Sequence, residues 1–149
     1  MSKIAICQPY FAPYLGYFQL INCVDIFVSY DDVNFIKKGW INRNRIISNG
    51  SENMFVIPLK KQSQNNLICE TQIDWNDRKI YKLFKSLEHS YSKSAFYNDV
   101  MGVIESCFAE RPDFISELSF LSIERFCDYL GIQTTLKVSS IEQYPKTDD

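Results

Sequence analysis

The stretch Gln8–Arg45 reads QPYFAPYLGYFQLINCVDIFVSYDDVNFIKKGWINRNR and decides the fold. Just before it, the small and apolar run KIAIC at Lys3–Cys7, which has no charge after Lys3, predicts a buried strand in the middle of a parallel sheet. Two prolines then interrupt regular structure, helical spacing begins at Leu15, and a second apolar run covers Asp25–Tyr30. This order predicts a βαβ unit whose two strands are parallel neighbours.

A hairpin is predicted after this unit. Two strand-like segments, Trp40–Ile47 and Asn53–Leu59, flank the dipeptide Asn49-Gly50. Asparagine followed by glycine accepts the positive φ angles that a tight hairpin turn requires. A further short strand is expected over Leu67–Ile73.

The rest of the chain shows helical spacing, with apolar residues recurring every three or four positions. We expect three helices, the first capped by Asp74 and the third capped by Asp113 and ended by Gly131. A last strand is expected over Thr134–Val138. The sequence thus predicts one α/β domain over residues 1–149: a parallel-sheet core of the Rossmann-like or nucleotidyltransferase-like type, an inserted β-hairpin and a helical C-terminal half.

Composition narrows the class of protein. A chain of 149 residues with 46% hydrophobic residues suits one globular domain, and a formal net charge of -2 argues against a general nucleic-acid binder. The most apolar window, Ile4–Val28, contains too many polar residues for a membrane span. Five cysteines without CxxC spacing, and no signal peptide before them, favour reduced thiols in a cytoplasmic protein. The sequence leaves open whether the protein is a homo-oligomer.

Two polar loops follow the two predicted strands. Ligands of open parallel sheets bind beyond the carboxyl ends of the strands, so we expect Gln8–Tyr17 and Asp31–Lys38 to form one site. In the first loop, Pro13 and Gly16 could bring free backbone N–H groups close to a phosphate, although a glycine there can also serve a tight turn. The tyrosines of this loop could stack on a sugar or a base, whereas we expect Phe11 to pack inside.

Asp31 and Asp32 follow the second strand. They could act as a general base or hold Mg²⁺ together with a nucleotide phosphate. Because no third carboxylate lies nearby, we predict no resident metal site, and a Mg²⁺-nucleotide cofactor stays open. The alternative is structural: one aspartate pairs with Arg43 or Arg45, and the other caps the next segment.

Four cations lie within nine residues at Lys37, Lys38, Arg43 and Arg45. Such a cluster suits a diphosphate, and the interleaved Trp40, Asn42 and Asn44 suit a sugar ring or a base. The alternative is a solvated edge strand whose charges prevent aggregation. Asparagine is a poor strand former, so the presence of Asn42 and Asn44 in this predicted strand favours the functional interpretation.

Standard catalytic sets are missing from the sequence. The single histidine, His89, lies beside the apolar stripe of the first long helix and is expected at the surface or its boundary. Cys7, at a strand end, is a conceivable nucleophile, but a buried thiol is the commoner outcome. No zinc-ligand spacing and no GxGxxG, GxxxxGK[ST] or GxSxG motif occurs.

Three blocks of the sequence resemble the WbqC-like protein family: Gln8–Ile21, Asp25–Val33 and Ile36–Ile46. The resemblance continues more loosely to the Ser139-Ser140 pair, and we expect family members to extend beyond Asp149 with another helix. It implies a bacterial protein of surface-polysaccharide or nucleotide-sugar biosynthesis that transfers an acyl or aminoacyl group to an amino sugar.

The implied partner is a nucleotide-linked sugar or a nucleotide. Asp31 or Asp32 would be the catalytic base, and the substrate-binding residues would be Gln8, Tyr10, Pro13, Tyr14, Gly16, Tyr17, Lys37, Trp40, Asn42, Arg43, Asn44 and Arg45.

A fainter similarity links the start of the chain to the adenylyl-transferring α/β proteins. Those proteins carry Gly-His at the helix start, where this chain has Gly16-Tyr17. Tyrosine is not a cation at neutral pH, so we do not expect standard adenylyl transfer. Nucleotide binding is compatible with this substitution. Two alternatives to the acyltransferase therefore stay open: a nucleotidyltransferase-like enzyme, and a non-catalytic binding or scaffold protein of a polysaccharide pathway.

Overall fold

A computed structural model describes residues 2–142 of the chain. Strand β1 (Ile4–Cys7), helix α1 (Leu15–Asn22) and strand β2 (Ile26–Ser29) form a βαβ unit in which the two strands are parallel neighbours. The prediction of this unit is confirmed. The expected end of the chain near Asp149 lies outside the described residues.

The central strand of the sheet is β2. Strand β5 (Thr135–Val138) pairs in parallel with its other side, which gives the order β1-β2-β5. The prediction that β1 lies in the middle was wrong: it is an edge strand among the described residues, and Ile4 and Ile6 are 57% and 60% exposed. A run without charges cannot show by itself which strand is covered on both faces.

The hairpin prediction is confirmed. Strands β3 (Arg43–Ser48) and β4 (Ser51–Val56) form a separate two-stranded antiparallel sheet. Its turn residues Asn49 and Gly50 have φ angles of 51° and 74°, as the sequence requires. The predicted strand bounds were a few residues off, because Trp40–Asn42 forms a turn rather than the start of β3.

The prediction of a strand over Leu67–Ile73 was wrong. A 3₁₀ turn occupies Ile68–Glu70, and the flanking residues form only isolated bridges. Side chains close this turn: Leu67 N–H donates to Glu70 Oε2 at 3.2 Å, and Thr71 Oγ1 donates to Leu67 C=O at 2.9 Å. Local side-chain hydrogen bonds therefore replace the strand ladder.

Helices α2 (Lys79–Tyr91), α3 (Tyr97–Ala109) and α4 (Ile115–Leu130) follow, and a short α5 (Ser139–Glu142) comes after β5. Two predicted helix caps were wrong. Asp74 accepts the Asn76 N–H at 3.1 Å and closes a turn before α2, whose N-cap is Arg78.

The N-cap of α4 is Phe114 rather than Asp113, and Glu117 accepts its N–H at 3.1 Å. Gly131 ends α4 with a φ of 70°, as predicted.

The core has two parts. The larger cluster packs the first loop and the hairpin against α2, α3 and α4, with Phe11 in edge-to-face contact with Phe55 and Phe108. The smaller cluster packs α1 and β2 against α4, and Phe126 contacts both. The hairpin and the parallel sheet are thus held by one shared helix. No helix within residues 2–142 has the length and apolarity needed to cross a membrane.

Two glycines test whether backbone conformation alone sets local stability. Nothing lies within 4 Å of a Cβ added at Gly131 or at Gly102, so neither substitution is sterically blocked. We expect Gly131→Ala to lower the free energy of unfolding by about 1 kcal/mol, because its φ is positive. Gly102→Ala, inside α3, should raise it by about 0.5–1 kcal/mol. Urea unfolding of both variants measures this, and equal effects would contradict it.

Candidate functional site

The carboxyl ends of the three parallel strands lie side by side. Cys7, Ser29 and Val138 are register partners at the end of the sheet. The Tyr30 N–H continues the pairing to the Cys7 C=O at 2.8 Å. The two predicted loops and the start of α5 therefore leave the sheet at the same edge.

An aromatic groove opens beyond β1. Its volume is about 260 Å³, and both predicted loops line it. We use the name aromatic groove for its lining residues Gln8, Pro9, Tyr10, Ile36, Gly39, Trp40 and Ile41. The structure thus brings Gln8, Tyr10 and Trp40 together, three of the residues singled out in the sequence.

Two guanidinium groups lie over Trp40 at the groove. Arg45 Cζ is 4.9 Å from the ring centroid and Arg43 Cζ is 6.0 Å from it. Arg43 Nε also donates to the Gly39 C=O at 2.8 Å, and Arg45 pairs with the exposed Glu52 at 2.8 Å. The indole is 46% exposed. One side of the groove is therefore both aromatic and positively charged.

Lys37 and Lys38 are exposed on the loop that closes the groove. Neither makes a hydrogen bond or an ion pair with another residue in the described part of the chain, and Lys38 has a φ of 62°. Ala12, in the other loop, has a φ of 49°. Two non-glycine residues with left-handed backbone thus lie in the two loops that meet here, an arrangement often found at functional sites.

The tyrosines of the first loop have different roles. Tyr17 is buried and donates its hydroxyl to the Gln8 C=O at 3.1 Å, and burial raises its pKa. Tyr10 accepts the Tyr14 N–H on its hydroxyl at 3.0 Å. The Tyr14 side chain is 69% exposed, and a Cβ at Gly16 would overlap its ring. Tyr14 therefore lies over the start of α1, beside the groove, while Pro13 is buried beneath the loop.

Two asparagines hold the loops in place. Asn42 is 3% exposed and donates Nδ2 to the Ile57 C=O at 2.8 Å. Asn44 donates Nδ2 to the C=O groups of Ala12 and Phe11, at 2.6 and 3.3 Å. Their amides are already bonded to backbone, so they shape the groove through the chain rather than offer free groups to it.

The two aspartates join a cluster with two serines, which we call the aspartate–serine cluster: Asp31, Asp32, Ser139 and Ser140. Asp31 is 2% exposed; its carboxylate accepts the Ser140 N–H at 3.0 Å and the Ser140 hydroxyl at 2.9 Å.

Ser139 Oγ lies 2.5 Å from Asp32 Oδ1 and 3.1 Å from Asp31 Oδ1, and it accepts the Asp31 N–H at 3.1 Å. Its single proton goes to the closer carboxylate, that of Asp32. The cluster ties the end of β2 to the start of α5.

The sequence candidates His89 and Cys7 do not line the groove. His89 is exposed on α2. Burial raises the pKa of the Cys7 and Cys69 thiols, and neighbouring carboxylates, led by Asp31, raise that of Cys69 further. Both thiols are therefore protonated at neutral pH and unsuited to act as nucleophiles. Within residues 2–142 no group of three or more His, Cys, Asp or Glu side chains is placed to hold a metal ion.

Sequence reasoning did not single out two kinds of site residue. Ser139 and Ser140 follow β5 at its carboxyl end, and the strand-end rule that marked Asp31 marks them as well. Ile36 and Gly39 line the groove because the Gly39 N–H donates to the Ile36 C=O at 3.0 Å and folds the loop back. A Cβ at Gly39 would lie 3.0 Å from that same oxygen.

Fold and groove together define a mixed α/β protein whose parallel sheet carries an aromatic, cationic groove at its carboxyl edge. The chain belongs to the WbqC-like protein family, which it matches over residues 8–149. It is also similar to the uncharacterized protein Rv1507c of Mycobacterium tuberculosis (strain ATCC 25618 / H37Rv), with 34% identity over 141 residues. That match covers 91% of this chain and 59% of the relative, so the chain spans about three fifths of the relative's length. No solved structure matches this chain.

Asn44 tests whether the hairpin holds the first loop. We expect Asn44→Ala to lower the free energy of unfolding by about 1–3 kcal/mol, because two loop carbonyls lose their donor. Asn53→Ala is the matched control on the partner strand, where the exposed amide makes only a 3.4 Å contact, and it should change stability by less than about 0.5 kcal/mol. Urea unfolding distinguishes them, and two equal losses would contradict the anchoring role.

The raised thiol pKa values predict an order of alkylation. At a pH of about 8 iodoacetamide should modify the exposed Cys23 first, and Cys7 and Cys69 later, because a raised pKa leaves less thiolate. Burial raises the pKa of Cys127 to about 11, so it should react after these three. Mass spectrometry of timed samples measures the order, and modification of Cys7 as fast as Cys23 would count against it.

Proposed function

We propose that the chain carries the substrate-binding part of a bacterial transferase that attaches an acyl or aminoacyl group to a nucleotide-linked amino sugar. The pathway is surface-polysaccharide biosynthesis, and the location is the cytoplasm, where nucleotide sugars are made. Membership of the WbqC-like family supports this direction. The observation that carries the proposal is the aromatic groove, with Trp40 beneath two guanidinium groups.

The parallel strands support a Rossmann-like or nucleotidyltransferase-like core. Their order β1-β2-β5 winds in one direction, as in one half of a doubly wound sheet. Ligands of such sheets bind beyond the carboxyl ends of the strands, which is where the groove opens. The groove's place in the topology thus agrees with a nucleotide ligand.

The charge and shape of the side chains indicate which part of the nucleotide sugar each of them would bind. Lys37 and Lys38, together with the guanidinium of Arg43, suit a diphosphate, because they supply several donors to one anion. Trp40 and Tyr10 offer aromatic faces to a base or a sugar ring. Gln8, exposed at the rim, suits hydrogen bonds to ring hydroxyls.

We assign the general base to Asp32, the more exposed of the two aspartates. Asp31 is buried and already accepts donors on both carboxylate oxygens, whereas Asp32 is only partly buried. In the proposed transfer the sugar amine forms a bond to the acyl carbon, and the bond from that carbon to its leaving group breaks. The amine proton passes to Asp32, and the Asp31 N–H positions the base by donating to the Ser139 hydroxyl, which in turn donates to Asp32.

A titration of the full chain with a panel of nucleotide sugars, followed by tryptophan fluorescence and calorimetry, tests the proposal. We expect one member to bind saturably. Trp40→Ala should weaken that binding at least about tenfold, because stacking contributes about 1–3 kcal/mol per base. Tyr81→Ala, which removes an aromatic side chain that is 66% exposed on α2, is the control and should leave the affinity unchanged.

Failure of every nucleotide sugar to bind, or unchanged affinity in Trp40→Ala, would overturn the proposal. Binding without acyl transfer would leave the groove assignment standing and favour the non-catalytic binding protein. Pyrophosphate release from a bound nucleoside triphosphate would instead favour the nucleotidyltransferase-like enzyme.

A further inference from the structure

We propose that a second cavity, on the far side of β2 from the aromatic groove, binds an organic cation: a protonated primary amine on an apolar body. The cavity has a volume of about 490 Å³ and lies where α4, β5 and α5 meet. We call it the acidic cavity, lined by Asp31, Cys69, Glu110, Pro112, Phe114, Ser116, Glu117, Phe120, Leu121, Val138, Ser140 and Ile141. It shares no lining residue with the groove, and Asp31 and Ser140 of the aspartate–serine cluster form part of its wall.

The charged side chains that line the acidic cavity all have the same sign. Three carboxylates line it, and no lysine or arginine does so among the described residues. Glu110 is compensated by Arg125, whose Nη2 lies 2.7 Å from its Oε1. Within residues 2–142, Asp31 and Glu117 have no such cation, because their partners there are backbone N–H groups and hydroxyls. The remaining charge is negative and selects a cation.

The hydrogen bonds of Glu117 and Asp31 make the acidic cavity unsuitable for an anionic ligand. Helices α4 and α5 both begin at the acidic cavity, and helix N-termini attract anions. However, Glu117 already accepts the Phe114 N–H at 3.1 Å, and Asp31 already accepts the Ser140 N–H at 3.0 Å. Each helix start therefore carries its own carboxylate, and a second anion would meet that charge.

The hydroxyl of a largely buried serine points independently to a ligand. Ser116 is 4% exposed, lines the acidic cavity and makes no side-chain hydrogen bond to any residue between 2 and 142. A hydroxyl that lines a cavity and has no protein partner is available to hydrogen-bond a ligand. A primary ammonium has three donors, enough for the Ser116 oxygen and a carboxylate oxygen together.

The apolar lining sets the rest of the ligand. Phe114, Phe120, Leu121 and Val138 surround the polar groups, so the amine must carry carbon atoms that leave water on binding. Cys69 adds a neutral wall, because its raised pKa keeps the thiol protonated. A fully hydrated cation such as a metal ion would not use these contacts.

A titration of the isotope-labelled full chain at neutral pH tests the proposal by nuclear magnetic resonance. The probe is phenethylammonium, and phenylacetate is its anionic counterpart with the same ring. We expect saturable shifts of the Cys69, Ser116 and Ser140 amides with phenethylammonium and none with phenylacetate at the same concentrations.

Two serine variants on one helix separate binding from folding. Ser116→Ala should weaken phenethylammonium binding about 2- to 10-fold, the value of one hydrogen bond. Ser119→Ala removes a fully buried and unpartnered hydroxyl that does not line the acidic cavity, and it should leave the affinity unchanged.

Equal binding of phenylacetate, unchanged affinity in Ser116→Ala, or shifts confined to Tyr10 and Trp40 would each overturn the assignment. The nucleotide-sugar titration can fail without affecting this result, because that titration reports on the aromatic groove, which shares no lining residue with the acidic cavity.

Discussion

The buried carboxylate of Asp31 is the constraint on which the carboxyl edge of the sheet depends. A charge that is 2% exposed must be satisfied by hydrogen bonds, and here Ser140 supplies its backbone N–H and its hydroxyl. These donors come from the start of α5, more than one hundred residues along the chain. Satisfying one charge thus fixes α5 against the end of β2 and builds one wall of the acidic cavity.

A second constraint joins the hairpin to this edge. Asn44 projects from β3 to the carbonyls of Phe11 and Ala12, while the Phe11 ring packs into the larger core. The loop is therefore held from outside by an amide and from inside by an aromatic ring. This double hold lets Ala12 keep a left-handed φ of 49°, a conformation that costs free energy unless its surroundings fix it.

The two openings on either side of β2 differ in charge. The aromatic groove carries two guanidinium groups on Trp40, whereas the acidic cavity is lined by three carboxylates. A formal net charge of -2 conceals this separation, because opposite local charges nearly cancel in the total.

The sequence alone predicted much of the fold through local signals. Leu15 began a helix because apolar spacing followed two prolines, and Asn49-Gly50 set the hairpin turn because both residues accept positive φ. It also predicted that Phe11 packs inside, and the ring is 2% exposed. Local signals failed at Leu67–Ile73, where Glu70 and Thr71 close a 3₁₀ turn instead.

The placement of the site likewise depends partly on local sequence and partly on tertiary structure. The sequence determined which loops follow the strands, and so which residues gather at the carboxyl edge. Tertiary structure decided what each side chain does there. The amides of Asn42 and Asn44 donate to backbone carbonyls, Trp40 stays exposed, and Ser139 contacts both aspartates. The physical reason is that hydrogen-bond partners and burial depend on residues far apart in the chain, which no local pattern contains.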